Sequence, residues 1–176
     1  MNPTELNKIL NQGEGTRVEF KVSQGGIPLS FYDSVCSFLN REGGVILLGV
    51  KDDGTVVGLD GQNIMGLKQD IVTALNNPEV LNPTFPLAVE EVELSIGTLL
   101  YVHVPISSLV HKHRNIIYDR ENDSDLRVTD EKRIADLYAR KREIFTENRI
   151  FPNLRIDDLD ASLFDKVRSR LALASI

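Results

Sequence analysis

The chain has 176 residues, 41% hydrophobic and 26% charged, enough for one domain with a sizeable core. Its formal charge of −6 excludes a protein that coats nucleic acid over its whole surface, so any such contact must come from a local basic face. No apolar run approaches the ~20 residues of a membrane span, no signal-peptide pattern opens the chain, and the single cysteine, Cys36, forms neither an internal disulfide nor a thiolate cluster; a cytoplasmic protein is expected.

In chain order, Leu6, Ile9 and Leu10 predict a short helix that stops at Gly13. In GEGTRVEFKVS, Val18, Phe20 and Val22 alternate with Arg17, Glu19 and Lys21, which predicts a strand with one apolar and one charged face. Ser30-x-x-Asp33 fits a capping box opening a helix with Phe31, Val35, Phe38 and Leu39 inward, ended by Gly43-Gly44. VILLGV reads as a central strand covered on both faces, and Asp53-Gly54 as a hairpin turn from which TVVGL returns beside it. Asn63 caps a helix carrying Ile64, Leu67, Ile71 and Leu75. The chain is extended again from Phe85, with the alternation slipping at Glu90-Glu91 as a bulge would make it. Ser95 to Thr98 turns it into LLYVHVP.

A loop from Ile106 to Asn115 precedes a short strand at Ile116 to Tyr118. Thr129 caps a helix running to about Glu143, with Ile134, Leu137 and Tyr138 inward. Hairpins outnumber crossovers, so the expected class is α+β with a mixed, largely antiparallel sheet and helices packed on it. The expected domain is 1–143. Residues 144–176 read as a linker around Pro152-Asn153 and a last helix capped by Asp160. Their apolar end docks on this domain or a second copy, or leads into a further region, and both readings stand open.

Several segments in this order resemble the Schlafen-type AlbA-like domain of bacterial transcriptional regulators. They are Glu14-x4-Glu19-Phe20-Lys21, Phe38-Leu39-Asn40-Arg41-Glu42-Gly43-Gly44, Leu48-Gly49-Val50-x-Asp52-Asp53-Gly54 with Gly58, Val104-Pro105, and Tyr118-x-Arg120 followed by a polar turn and the Thr129 helix. The likeness spans about Asn11 to Arg142. Glu121-Asn122-Asp123-Ser124-Asp125 replaces the family's Gly-Ser-Ser/Thr run, which speaks against a phosphate cradle there. Bacterial members often carry an ATP-binding region further along, so the resemblance implies a longer parent protein and ATP only through that region.

The resemblance implies a non-enzymatic nucleic-acid-binding module, DNA in preference to RNA. Its candidate contacts are Lys21, Lys112, Arg114, Arg120 and Arg127, with His111 and His113 in the same basic loop and Arg140-Lys141-Arg142 at a helix end. The alternative is a metal-dependent nuclease. Eukaryotic Schlafens use an acidic trio with the spacing of Glu14 and Glu19, and Asp52, or Asp53 by a one-residue shift, completes it as a ligand set for Mg²⁺ or Mn²⁺. That pair converges only if Gly13-Glu14-Gly15 bends. The plain reading of these acids is a solvated strand face and a turn tip. A third reading is an oligomerisation domain, with a homodimer as partner, and no cofactor is expected in a binding module.

Overall fold

The computed structural model describes residues 3–61 and 63–146; the linker and last helix expected beyond Pro152 lie outside the described residues. The elements are α1 (Pro3–Gln12), β1 (Val18–Lys21), α2 (Leu29–Asn40), β2 (Gly44–Leu48), α3 (Ile64–Leu75), β3 (Leu81–Asn82), β4 (Val89–Leu94), β5 (Gly97–Val104), β6 (Lys112–His113), β7 (Ile117–Glu121), β8 (Ser124–Val128) and α4 (Glu131–Thr146). The main sheet has the order β1-β2-β5-β4. β1 and β2 run parallel, joined by the crossover helix α2, and the other pairings are antiparallel. Two small pairs, β3–β6 and β7–β8, complete an α+β fold of the expected class.

β2 is covered on both faces, as its apolar run predicts. Ile46 and Leu48 meet α2 and α3 through Phe31, Val35, Phe38, Leu39, Leu67 and Ile71, whereas Leu47 joins Phe20, Val50, Leu99 and Leu6 of α1. Gly43-Gly44 is a packing requirement. A Cβ on Gly43, whose φ is +72°, would lie 2.6 Å from the Val104 carbonyl oxygen, and one on Gly44 would lie 2.8 Å from that of Arg17. A third cluster, Val110, Ile117, Val128 and Leu137, seats α4 on the β7–β8 hairpin.

Several local expectations are corrected. TVVGL forms no strand: Gly49 (φ +96°) and Gly58 (φ +70°) turn the chain, leaving one bridge from Val50 to Val56 and another from Leu59 to Thr98. α2 starts at Leu29, with Pro28 at its N-cap and no side-chain cap, so Ser30 lies inside the helix. β4 and β5 pair without a slip from Val89↔Val102 to Leu94↔Gly97, so there is no bulge at Glu90-Glu91. Asp130, not Thr129, caps α4, its Oδ1 accepting the Arg133 N–H at 2.9 Å. Tyr138 is exposed, because the inward stripe of α4 runs through Ile134, Leu137 and Lys141.

Lys141 is buried, and its Nζ donates to the carbonyls of Leu39 (2.7 Å) and Ser107 (2.9 Å). Burial, reinforced by the Arg140 cation, pulls its pKa down to about 8 while Asp119 works against the shift. A neutral amine still offers one N–H to each carbonyl, so deprotonation keeps the dock. Cys36, inert and buried as expected, shifts the other way: burial pushes its thiol from 9.0 up to about 12.

The consequences for stability have opposite signs. Above about pH 8 the unfolded chain holds a Lys141 proton that the native chain has lost, so stability rises by up to ~1.4 kcal/mol per pH unit. Above about pH 9 the unfolded Cys36 gives up a proton that the native thiol keeps, and the rise is cancelled. Urea unfolding should therefore gain stability from about pH 8 to pH 9 and then level off. In Cys36→Ala the gain should continue until the tyrosines ionise near pH ~10. No gain between pH ~8 and ~9 would show that Lys141 stays charged in the fold.

Candidate nucleic-acid interface

The acidic trio begins at the bend between α1 and β1. Gly13 (φ +75°) turns the chain, Gly15 bridges back to Val18, and the Oε1 of Glu14 accepts the Phe20 N–H at 2.9 Å. Burial raises the Glu14 pKa. The Phe20 N–H opposes that shift, and the carboxylates of Glu19 and Asp52 add to it. Asp52 is the turn acid that Glu14 feels; Asp53 instead accepts the Thr55 N–H at 2.9 Å and closes the turn, which lowers its pKa.

Glu19 is not on a solvated face. It is buried, one oxygen 2.5 Å from Arg120 Nη2 and the other against Lys21 Nζ. Among the described residues no group of three or more His, Cys, Asp or Glu side chains is arranged to hold a metal ion. The trio as built does not fit Mg²⁺ or Mn²⁺, because Glu19 has given both oxygens to cations and Glu14 has given one to the backbone.

Arg120, a candidate phosphate contact, is spent inside the protein. It is 1% exposed. Its Nη2 donates to Glu19 and, at 2.8 Å, to the Gly15 carbonyl, with a longer 3.3 Å contact to that of Val18. Nη1 donates to Asp125 at 2.9 Å, and the guanidinium carbon lies 4.9 Å from the Phe38 ring centroid. Burial works against its charge, and Glu19 and Asp125 more than compensate, raising its pKa. Asp125 also accepts the hydroxyls of Ser34 (2.6 Å) and Ser37 from α2. Lys21 is likewise committed, to Glu19. At the α4 end Arg140 pairs with Asp119 at 3.2 Å and Lys141 is buried, so the expected basic run there is largely internal.

The basic loop is also more ordered than a solvated loop. His111 and His113 are both buried. His111 Nδ1 donates to the Pro83 carbonyl (2.7 Å), the Ser107 hydroxyl meets Nε2 (2.7 Å), and burial lowers its pKa, so the ring is held neutral. Asn40 locks the same segment: its Oδ1 accepts the His111 N–H at 2.7 Å, and its Nδ2 donates to the His111 and Tyr118 carbonyls at 2.9 and 2.8 Å.

β6 then turns into β7 through Arg114 and Asn115. Both are at positive φ (+47° and +66°), and His113 and Ile116 exchange 2.9 Å hydrogen bonds across the turn. That is the I′ geometry, and an arginine is a costly residue for it. Arg114 and Arg127 of β8 are both exposed and line one pocket of about 220 Å³, together with Asp33, His113, Ile116 and Tyr118. Lys112, half-buried, precedes them on β6.

Of the expected contacts, then, Arg114 and Arg127 are brought together at the surface, while Arg120 and Lys21 are not available. The partners that sequence reasoning missed are Asn40, Asp33 and Asp125. Ser34 and Ser37 lie three apart on one face of α2, the spacing that lets both reach Asp125, but no local pattern named the acid across from them.

A four-stranded mixed sheet entered through a parallel β1-α2-β2 unit, with a small pocket rimmed by two arginines, defines a small α+β module. The chain belongs to the Schlafen, AlbA_2 family, which matches it over residues 14–133. A search of curated proteins finds no match. Among solved structures it is similar to the DIP2311 protein from Corynebacterium diphtheriae, with a TM-score of 0.56 and 20% identity over 79% of this chain and 31% of that one. It is also similar to the N-terminal domain of a RecG-related protein from Nitrosomonas europaea, with a TM-score of 0.47 and 26% identity over 60% of this chain and 74% of that one. The chain thus spans about a third of the length of DIP2311. Among the described residues no helix is long and apolar enough to cross a membrane.

Proposed function

We propose that the domain binds nucleic acid, duplex DNA before RNA, through the face that carries Arg114 and Arg127, and that it serves a transcriptional regulator. The observation that supports this reading is the convergence of those two exposed arginines, from the β6–β7 turn and from β8, on one pocket of a chain whose net charge is −6. An acidic protein that concentrates cations at one rim has a defined place for phosphates and repels them elsewhere. Membership of the Schlafen, AlbA_2 family is consistent with it.

Fluorescence anisotropy with duplex DNA and single-stranded RNA, at salt from about 50 to 200 mM, tests the proposal. Arg114→Gln and Arg127→Gln should each weaken binding across sequences and reduce the slope of log K against log salt by about one. Neither ligand binding at the lowest salt would end the nucleic-acid reading. Tighter binding of RNA would overturn the order of preference.

A further inference from the structure

The pocket between α2, the β6–β7 turn and β8 has a floor that a backbone contact would not need. His113 is 4% exposed and lines the pocket. Its Nδ1 lies 2.7 Å from Asp33 Oδ1, so that nitrogen carries the proton and is held by the carboxylate. Its Nε2, equally buried, has no hydrogen-bond partner among the described residues. A buried imidazole nitrogen left unpaired costs on the order of 1–3 kcal/mol, so it calls for a ligand.

Asp33 does not present an open negative charge, since the His113 ring and the Tyr118 hydroxyl both bond to it and Arg127 bonds to Tyr118 in turn. The pocket also borders the start of α2. Leu29, its first residue, lines the wall, and no side chain caps that terminus at Pro28. An uncapped N-terminal turn of a 12-residue helix favours an anion. Two arginines, a buried histidine with one unpaired ring nitrogen and the first residue of an uncapped helix therefore line one small space.

We propose that this pocket seats a terminal phosphate monoester, at the end of a nucleic-acid strand or on a free mononucleotide. The inference rests on the nucleic-acid reading for the strand and on the pocket's own geometry for the phosphate. At about 220 Å³ it is smaller than the ~300 Å³ lower bound of ordinary ligand sites, which suits a phosphate with part of its sugar. A mid-strand phosphodiester must continue in both directions, whereas a small pocket with a buried floor admits a chain end. A monoester with a second pKa near ~6 has both P–OH and P–O⁻ forms near neutrality, so it pairs with Nε2 whether that nitrogen accepts or donates. Arg114 and Arg127 supply charge-assisted hydrogen bonds at the rim.

The test uses the full chain and strands labelled at one end, with a phosphate or a hydroxyl at the other, in both 5′ and 3′ versions. One version of the phosphorylated strand should bind about tenfold more tightly than its hydroxyl counterpart, a difference of ~1.4 kcal/mol. His113→Asn, which keeps a donor near the Nδ1 position and removes Nε2, should bring that preference to within about twofold, as should Arg127→Gln. Because Arg127 is exposed, its variant tests the site even if the His113 variant fails to fold.

In parallel, inorganic phosphate and a mononucleotide are titrated while the His113 imidazole is followed by NMR; a saturable shift is expected. Strands that bind equally with and without the terminal phosphate, with no imidazole shift, would overturn the pocket while leaving the nucleic-acid reading standing. An imidazole shift with mononucleotide but no binding of any strand would support the pocket and reject the strand as its ligand.

Discussion

Replacing Arg120 with methionine is expected to cost the fold about 3–5 kcal/mol, the range for removing one partner of a buried ion set. The guanidinium side chain is fully buried, and the carboxylates it serves, on Glu19 and Asp125, are only 8% and 13% exposed. Its loss leaves two charges in a dry site and strips a donor from the carbonyls of Gly15 and Val18. Against a total stability of ~5–15 kcal/mol, the variant would stand close to unfolding. Lysine should rescue little, because one ammonium cannot serve two carboxylates and two carbonyls that a five-donor fork reaches at once. Adding Glu19→Gln and Asp125→Asn to Arg120→Met should recover a large part of the loss, since amides need no counter-charge. Urea titration of the three proteins decides it: a single Arg120→Met variant within ~1 kcal/mol of the parent would show the network to be energetically idle.

Asn40→Leu comes second, at about 3 kcal/mol or more. One buried amide satisfies three backbone groups, the N–H and carbonyl of His111 and the carbonyl of Tyr118, and leucine satisfies none of them. Each orphaned group costs ~1–3 kcal/mol, with the carbonyls at the lower end. Asn40→Asp should fail nearly as badly, since an ionised carboxylate can accept the His111 N–H but donate nothing to the two carbonyls. The specific readout is hydrogen exchange at the His111 amide, which should lose its protection in Asn40→Leu before the α3 amides do. Unchanged protection there would mean that the segment is held by its buried rings alone. The effect bears on function too, because the stretch that Asn40 locks is the one that leads into the Arg114 turn.

Local pattern made part of this legible. The alternation of Val18 and Phe20 marks β1, the unbroken run of VILLGV marks a doubly covered strand, and Gly43-Gly44 marks the end of α2, although its close packing against Val104 and Arg17 is not written in the local pattern. The misses have physical causes. Asn122, at φ +56°, turns β7 back into β8 and sets Arg120 opposite Asp125, but Asn-Asp without a glycine is a weak hairpin signal. By local pattern the hairpin is a polar turn and Arg120 a candidate phosphate contact, whereas the fold pairs β7 with β8 and buries Arg120. Glu19 sits where a strand face usually meets solvent, and only a segment some hundred residues later covers it. The two histidines carry no local sign of burial, since Asp33, Pro83 and Ser107, which take up three of their four ring nitrogens, are all distant in sequence except the last. The exposure of Arg114 and Arg127 is legible because a solvated cation needs no partner to be recognised.

The bend at Glu14 also has a meaning for self-association. β1 is the last strand on its side of the sheet: Arg17 and Lys21 turn their carbonyls toward the β2 side, to Val45 and Gly49, so the backbone groups of Val18 and Phe20 point the other way. There the Glu14 carboxylate takes the Phe20 N–H and the Arg120 guanidinium approaches the Val18 carbonyl. Two side chains thus stand in for a missing neighbour strand. The opposite rim, β4, carries Glu90, Glu91 and Glu93, with Glu91 paired to Lys68 at 2.7 Å, and charged side chains along an edge disfavour a second copy laid alongside. Strand addition is therefore blocked at one border and opposed at the other, and Glu14, which looked like one member of a catalytic trio, serves as one of the stoppers.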